Sequence, residues 1–131
     1  MAEELIDALH NRAIRATVTK IVDGDTFTAD LELGFGVLLR QYVRIARLDT
    51  PEIDASASPE ALKAKQQLLD LIPPASSVWL LQVQQSTDKY ARLLAEVLLP
   101  DKTPLIDHLD PQWIIDPKTH RWLHSLRKGN L

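Results

Sequence analysis

The 131-residue chain has no cysteine, so a disulfide framework and a thiolate zinc site are both excluded. It has no apolar run near the roughly 18 to 20 residues that a membrane-spanning helix needs. Its first residues, MAEELIDALHN, lack the cationic and then apolar pattern of a secretory signal. That favours a cytoplasmic protein, or a secreted one whose signal has been trimmed. Repeats and low-complexity linkers are absent as well. Basic residues are scarce in the body of the chain: before position 117 there are 18 acidic against 11 basic residues, a net charge of −7. Such a body is a poor general binder of polyanions, because that mode of binding needs many Lys and Arg contacts. It suits a protein that holds a cation or grips phosphate at a few focused points. The last 15 residues reverse the sign, with Lys118, Arg121, Arg127 and Lys128 and no acid.

What is present is a 45% hydrophobic, 25% charged composition, ordinary for one globular domain. Residues 2–10 fit a short amphipathic helix with Leu5, Ile6 and Leu9 on one side, part of an extension over residues 1–14. Residues 15–22 and 26–33 read as strands around the turn Asp23-Gly24-Asp25. In the second, Phe27, Ala29, Leu31 and Leu33 alternate with Thr26, Thr28, Asp30 and Glu32, the period of a half-buried strand. Gly34 and Gly36 mark another turn, and residues 37–48 read as a long third strand. Ser58-Pro59-Glu60 has the chemistry of a helix start: a capping hydroxyl, proline in the first turn and an acid beside it. Ala61, Ala64, Leu68 and Ile72 give that helix its apolar face, and Pro73-Pro74 stops it. Residues 76–84 and 92–99 are the fourth and fifth strands, and a last helix is expected over 117–127. Short strands with one inserted helix predict an α+β fold, mainly β: a five-stranded OB-type Greek-key barrel over residues 15–110, with a C-terminal segment, 111–131, packed on it.

Polar clusters fall at three strand ends: Asp23-Gly24-Asp25-Thr26, Asp49-Thr50-Pro51-Glu52, and Thr87-Asp88-Lys89-Tyr90-Ala91-Arg92. Any one of them is what a solvated turn looks like. Together, with arginines at set offsets, they offer the mixed carboxylate and carbonyl oxygens that hard divalent cations prefer.

The stretches ATVTKIVDGDTFTADL, VRIARLDTPE, SPEALKAK and STDKYARLLAEVLL, across residues 16–100, resemble the staphylococcal (thermonuclease-type) nuclease family. The resemblance implies a calcium-dependent phosphodiesterase acting on DNA or RNA; single strands are the favoured substrate, with no membrane partner and a monomer expected. Carried onto this sequence, it makes Asp25 and Asp49 the carboxylate ligands of Ca2+, with Thr50 adding its backbone carbonyl. Glu52 would activate or orient the attacking water, while Arg44 and Arg92 grip the phosphate with planar, always-charged forks. Lys89 and Tyr90 would line the nucleotide site. Pro51 would hold the base at a set distance from the metal ligands.

The chain also departs from the family. Residues 53–58 are short and free of lysine where the secreted relative has a lysine-rich loop, and Ala91 replaces the usual glycine. The ending after residue 104 matches loosely. The alternative is therefore a nuclease-like OB-fold module that binds nucleic acid or protein with little or no catalysis, as degenerate copies in Tudor-staphylococcal nuclease proteins do. Outside the motif, Arg47 is expected to be a surface cation and Trp79 a core residue. Trp113 and Trp122 are expected to dock the last helix. His120 and His124, four apart with no third ligand in view, are expected to be surface or packing residues.

Overall fold

The computed structural model describes residues 9–54, 58–85 and 92–115. Five strands, β1 (Ile14–Asp23), β2 (Thr26–Gly34), β3 (Val37–Ile45), β4 (Ser77–Gln85) and β5 (Leu93–Leu98), close into a barrel in the order β1-β2-β3-β5-β4. All neighbours are antiparallel except β3 and β5, which run parallel. This is the mainly-β barrel of OB type that the alternation predicts. The alternation of β2 explains its place: Phe27, Ala29 and Leu31 are fully buried, while their neighbours Thr28 and Asp30 face outward. Leu9 is buried too, so the segment before β1 contributes to the same core. The remainder of the expected N-terminal helix and the whole of the 117–127 helix lie outside the described residues.

Helix α1 (Pro59–Leu71) connects β3 to β4. Ser58 Oγ accepts the Ala61 N–H at 3.0 Å, a cap that contributes about 1 kcal/mol. Ala61, Ala64 and Leu68 form the buried face, and Ile72, also buried, ends the helix ahead of the two prolines. The small residues on that face let the helix approach the barrel closely. Gly24, in the β1–β2 turn, is the counterpart: a Cβ there would lie 2.6 Å from Ala64 Cβ and 2.7 Å from Thr50 Oγ1. Its backbone needs no special conformation, so glycine is required here by lack of space.

Two expectations are corrected. The third strand stops at Ile45 rather than continuing to residue 48, because Arg47 adopts a left-handed backbone (φ 64°) that turns the chain out of the sheet. Beyond the turn, Leu48 bridges to Ile114, and the Asp49 N–H reaches the Trp113 carbonyl at 2.9 Å. Trp79 is half-buried instead of central. Val78 and Leu80 take the inward positions of β4, which leaves the indole on the outer side, with the Arg15 guanidinium 5.3 Å from its ring centre. Trp113, in a short 3-10 turn (Pro111–Trp113), packs on the barrel, which draws the start of the 111–131 segment onto the core.

Candidate active site

The polar turn between β1 and β2 and the segment after β3 meet at one end of the barrel, and Asp25 is the hub between them. Its side chain is buried. One carboxylate oxygen accepts the Thr26 hydroxyl at 3.0 Å; the other accepts the Thr50 N–H at 3.1 Å. Thr26 Oγ1 in turn accepts from Arg92 Nη1 at 3.0 Å. A buried hydroxyl therefore links an arginine of β5's leading end to the acid of the β1–β2 turn. Residues 25, 26, 50 and 92, distant in sequence, are held in one hydrogen-bonded chain.

Arg44 is engaged inward. Its Nη1 donates to the carbonyls of Ile45, at 2.8 Å, and of Leu48. Its Nη2 lies 3.5 Å from Asp25 and 3.7 Å from Asp49, so one guanidinium bridges both acids. Asp49 is itself mostly exposed at its side chain, 72%, against 7% for Asp25. The strand pairing puts Arg44 directly opposite Thr26, which is why its fork reaches the hub.

Beside this cluster opens a cleft of about 430 Å³, lined by Val22, Asp23, Thr26, Tyr42, Glu52, Ile53 and Arg92. Glu52 and Arg92 share this space, whereas Arg44 does not line it. Lys89, Tyr90 and Ala91 lie outside the described residues, as do Trp122, His120 and His124.

Asp23 was not singled out by the sequence, although it belongs to the same turn. Burial, followed by a hydrogen bond and like charge from Asp25, pushes its carboxyl up to about 6. Its Oδ1 also accepts the Asp25 N–H at 3.1 Å, folding the turn on itself. Two carboxyl groups crowded in this way mark a place where a positive charge would be stabilised. The Asp-Gly-Asp spacing was the available signal.

A second missed residue is Glu96, buried within β5. Arg47 makes an ion pair with it, so Arg47 is no surface cation. A lone acid in the apolar run RLLAEVLL was the clue, since a buried carboxylate calls for a partner.

The oxygens gathered here suit a hard cation by type: the carboxylates of Asp25 and Asp49, both beside the Arg44 guanidinium, and a buried Thr50 Oγ1 that has no hydrogen-bond partner among the described residues. Among the described residues, no group of three His, Cys, Asp or Glu side chains forms an ion site by itself. Carbonyl, hydroxyl or water oxygens would have to complete the shell, as is usual for calcium. No protein-family model matches the chain, and no curated protein sequence matches it.

Proposed function

We propose that the chain is a calcium-dependent phosphodiesterase of the staphylococcal nuclease type, hydrolysing DNA or RNA. The observation that carries this reading is the hydrogen-bonded chain Arg92–Thr26–Asp25–Thr50 beside a cleft that also holds Glu52. A turn that served only solubility would have no reason to bury an acid and tie it to an arginine 67 residues away in sequence.

In this reading Asp25, Asp49 and the Thr50 carbonyl would hold calcium, which when bound would supply Lewis-acid charge to a phosphate oxygen. The remaining work falls to the chain's own side chains. Glu52, exposed at the cleft wall, would take a proton from an attacking water. Arg92 presents a cation to the same space while Thr26 fixes its distance from Asp25, so phosphate clamp and ligand cannot drift apart. Charge preorganised in this way usually lowers the barrier more than any other single effect. Arg44 neutralises two acids that would otherwise repel each other. Lys89 and Tyr90 enter as nucleotide contacts on the strength of the resemblance alone.

The inward engagement of Arg44 favours a second reading, a binding module that presents Arg92 without completing a catalytic clamp. Incubating the protein with single-stranded DNA, in calcium and in chelator, separates the two. Calcium-dependent fragments support the hydrolase; strand binding with no fragments supports the module.

A further inference from the structure

Tyr42 is the one aromatic side chain on the cleft wall among the described residues, and it is 52% exposed. It stands two residues before Arg44 on β3, so both leave the strand on the side opposite the buried Val43 and Ile45, although the Arg44 fork then turns back toward Asp25. The strand register sets Tyr42 opposite Thr28 and Arg44 opposite Thr26, which places the ring one rung from the hub of the site. The Thr28 hydroxyl is already occupied by the Thr19 hydroxyl at 2.6 Å. The polar neighbour of the ring is thus satisfied sideways, and the ring is left facing the cleft.

Charge makes this ring more consequential. Among the described residues, Asp23 and Glu52 line the cleft with one arginine, Arg92, and the whole chain carries −3. Long-range attraction to a polyanion is weak beside these residues, so uncharged contact adds materially to the hold of a few focused cations. A base stacked on an aromatic ring supplies that contact with little regard for sequence. In a duplex both faces of each base are already stacked on neighbours, so only an unpaired base can reach a ring on a cleft wall. The cleft volume, about 430 Å³, sits within the range of small-ligand pockets and is far too small for a double helix.

From this placement we propose that Tyr42 is the stacking platform for an unpaired nucleobase, on the strand whose phosphodiester lies against Arg92. The assignment rests on the phosphodiesterase reading for the phosphate and gives the single-strand preference of that reading a residue. Tyr42 acts in binding and not on the reacting atoms.

The test uses the full chain in calcium, with two labelled phosphorothioate probes followed by fluorescence anisotropy. One is tetrathymidylate; the other has the same backbone with its bases removed. The parent should bind the base-bearing probe on the order of 10-fold or more tightly than the abasic one. Tyr42→Phe should keep that ratio within about twofold, since the ring carries the contact. Tyr42→Ala should bring it close to one while keeping a cooperative thermal transition, because the side chain is half exposed and outside the core. A ratio in Tyr42→Ala equal to the parent's, or no ratio in the parent, overturns the assignment. Hydrolysis of unmodified DNA is followed separately. Absence of hydrolysis with a Tyr42-dependent ratio defeats the nuclease reading and upholds stacking, while hydrolysis with a Tyr42-independent ratio does the reverse.

Discussion

Arg44, near the end of β3, and Arg47, in the turn just beyond it, stand three residues apart, and each meets a buried acid: Asp25 for the first, Glu96 for the second. The surroundings separate them. Asp25 receives a hydroxyl, a backbone N–H and a shared guanidinium, and lies beside a cleft with Glu52 and Arg92. Glu96 lies inside an apolar strand, and its ion pair is with Arg47, whose left-handed backbone ends β3. A second cavity, about 260 Å³, borders this pair and is lined by Gln82 and Gln84, with neither a further acid nor a further arginine among the described residues. One pair is built into a network open to a ligand; the other fastens the chain where it leaves the sheet. Similar residue types at similar burial thus stand in different networks, and the neighbours make the difference.

The sharpest break between the two is expected from removing each acid. Asp25→Ala should abolish cleavage of single-stranded DNA in calcium, measured by fragment release, because it removes a proposed ligand and the anchor of Thr26 and Thr50 together. Glu96→Ala should instead cost about 3–5 kcal/mol in urea unfolding, the usual penalty for deleting half of a buried pair. Calcium-dependent cleavage below its lowered melting range should survive.

A smaller effect separates the arginines. Arg92→Lys keeps the charge and loses the planar fork, so turnover should fall by about 10² with little change in stability. Arg44→Lys should lose stability as well, because Arg44 also bonds two backbone carbonyls. Comparing kcat with the urea midpoint for both variants checks this. If Arg44→Lys alone slows turnover, the clamp is Arg44 and not Arg92.

The smallest effect concerns the turn itself. Gly24→Ala forces a methyl into space already held by Ala64 and Thr50, which should cost about 1–3 kcal/mol. Because Thr50 must shift, apparent calcium affinity should weaken in step. A variant as stable as the parent would mean that the turn moves freely away from α1.

The barrel was legible because its information is local. Phe27, Ala29 and Leu31 repeat every second residue, and Ser58-Pro59 announces the helix through hydrogen-bonding and backbone chemistry that need no distant partner. The placement of Asp25, Asp49, Thr50, Glu52 and Arg92 around one end follows from those strands. Long-range pairing was not legible. Nothing near Arg47 indicates that its partner is Glu96, 49 positions on, or that its φ is positive, since arginine has no particular preference for that conformation. The direction of the Arg44 fork was hidden for a similar reason: its acceptors are backbone carbonyls, which every sequence possesses. Trp79 was misplaced because an all-apolar run such as Val78-Trp79-Leu80-Leu81 does not say which residues face inward.

If the two buried acids differ as proposed, Asp25 belongs to a cation site and the similarly buried Glu96 does not. The most direct test is thermal unfolding across a calcium titration of the parent, Asp25→Asn and Glu96→Gln. Binding to the folded state raises the midpoint by mass action, whether or not catalysis occurs. The expected result is a calcium-dependent rise in the parent, the same rise in Glu96→Gln from a lower starting midpoint, and none in Asp25→Asn. An undiminished rise in Asp25→Asn, or no rise in the parent, would contradict a cation site at Asp25.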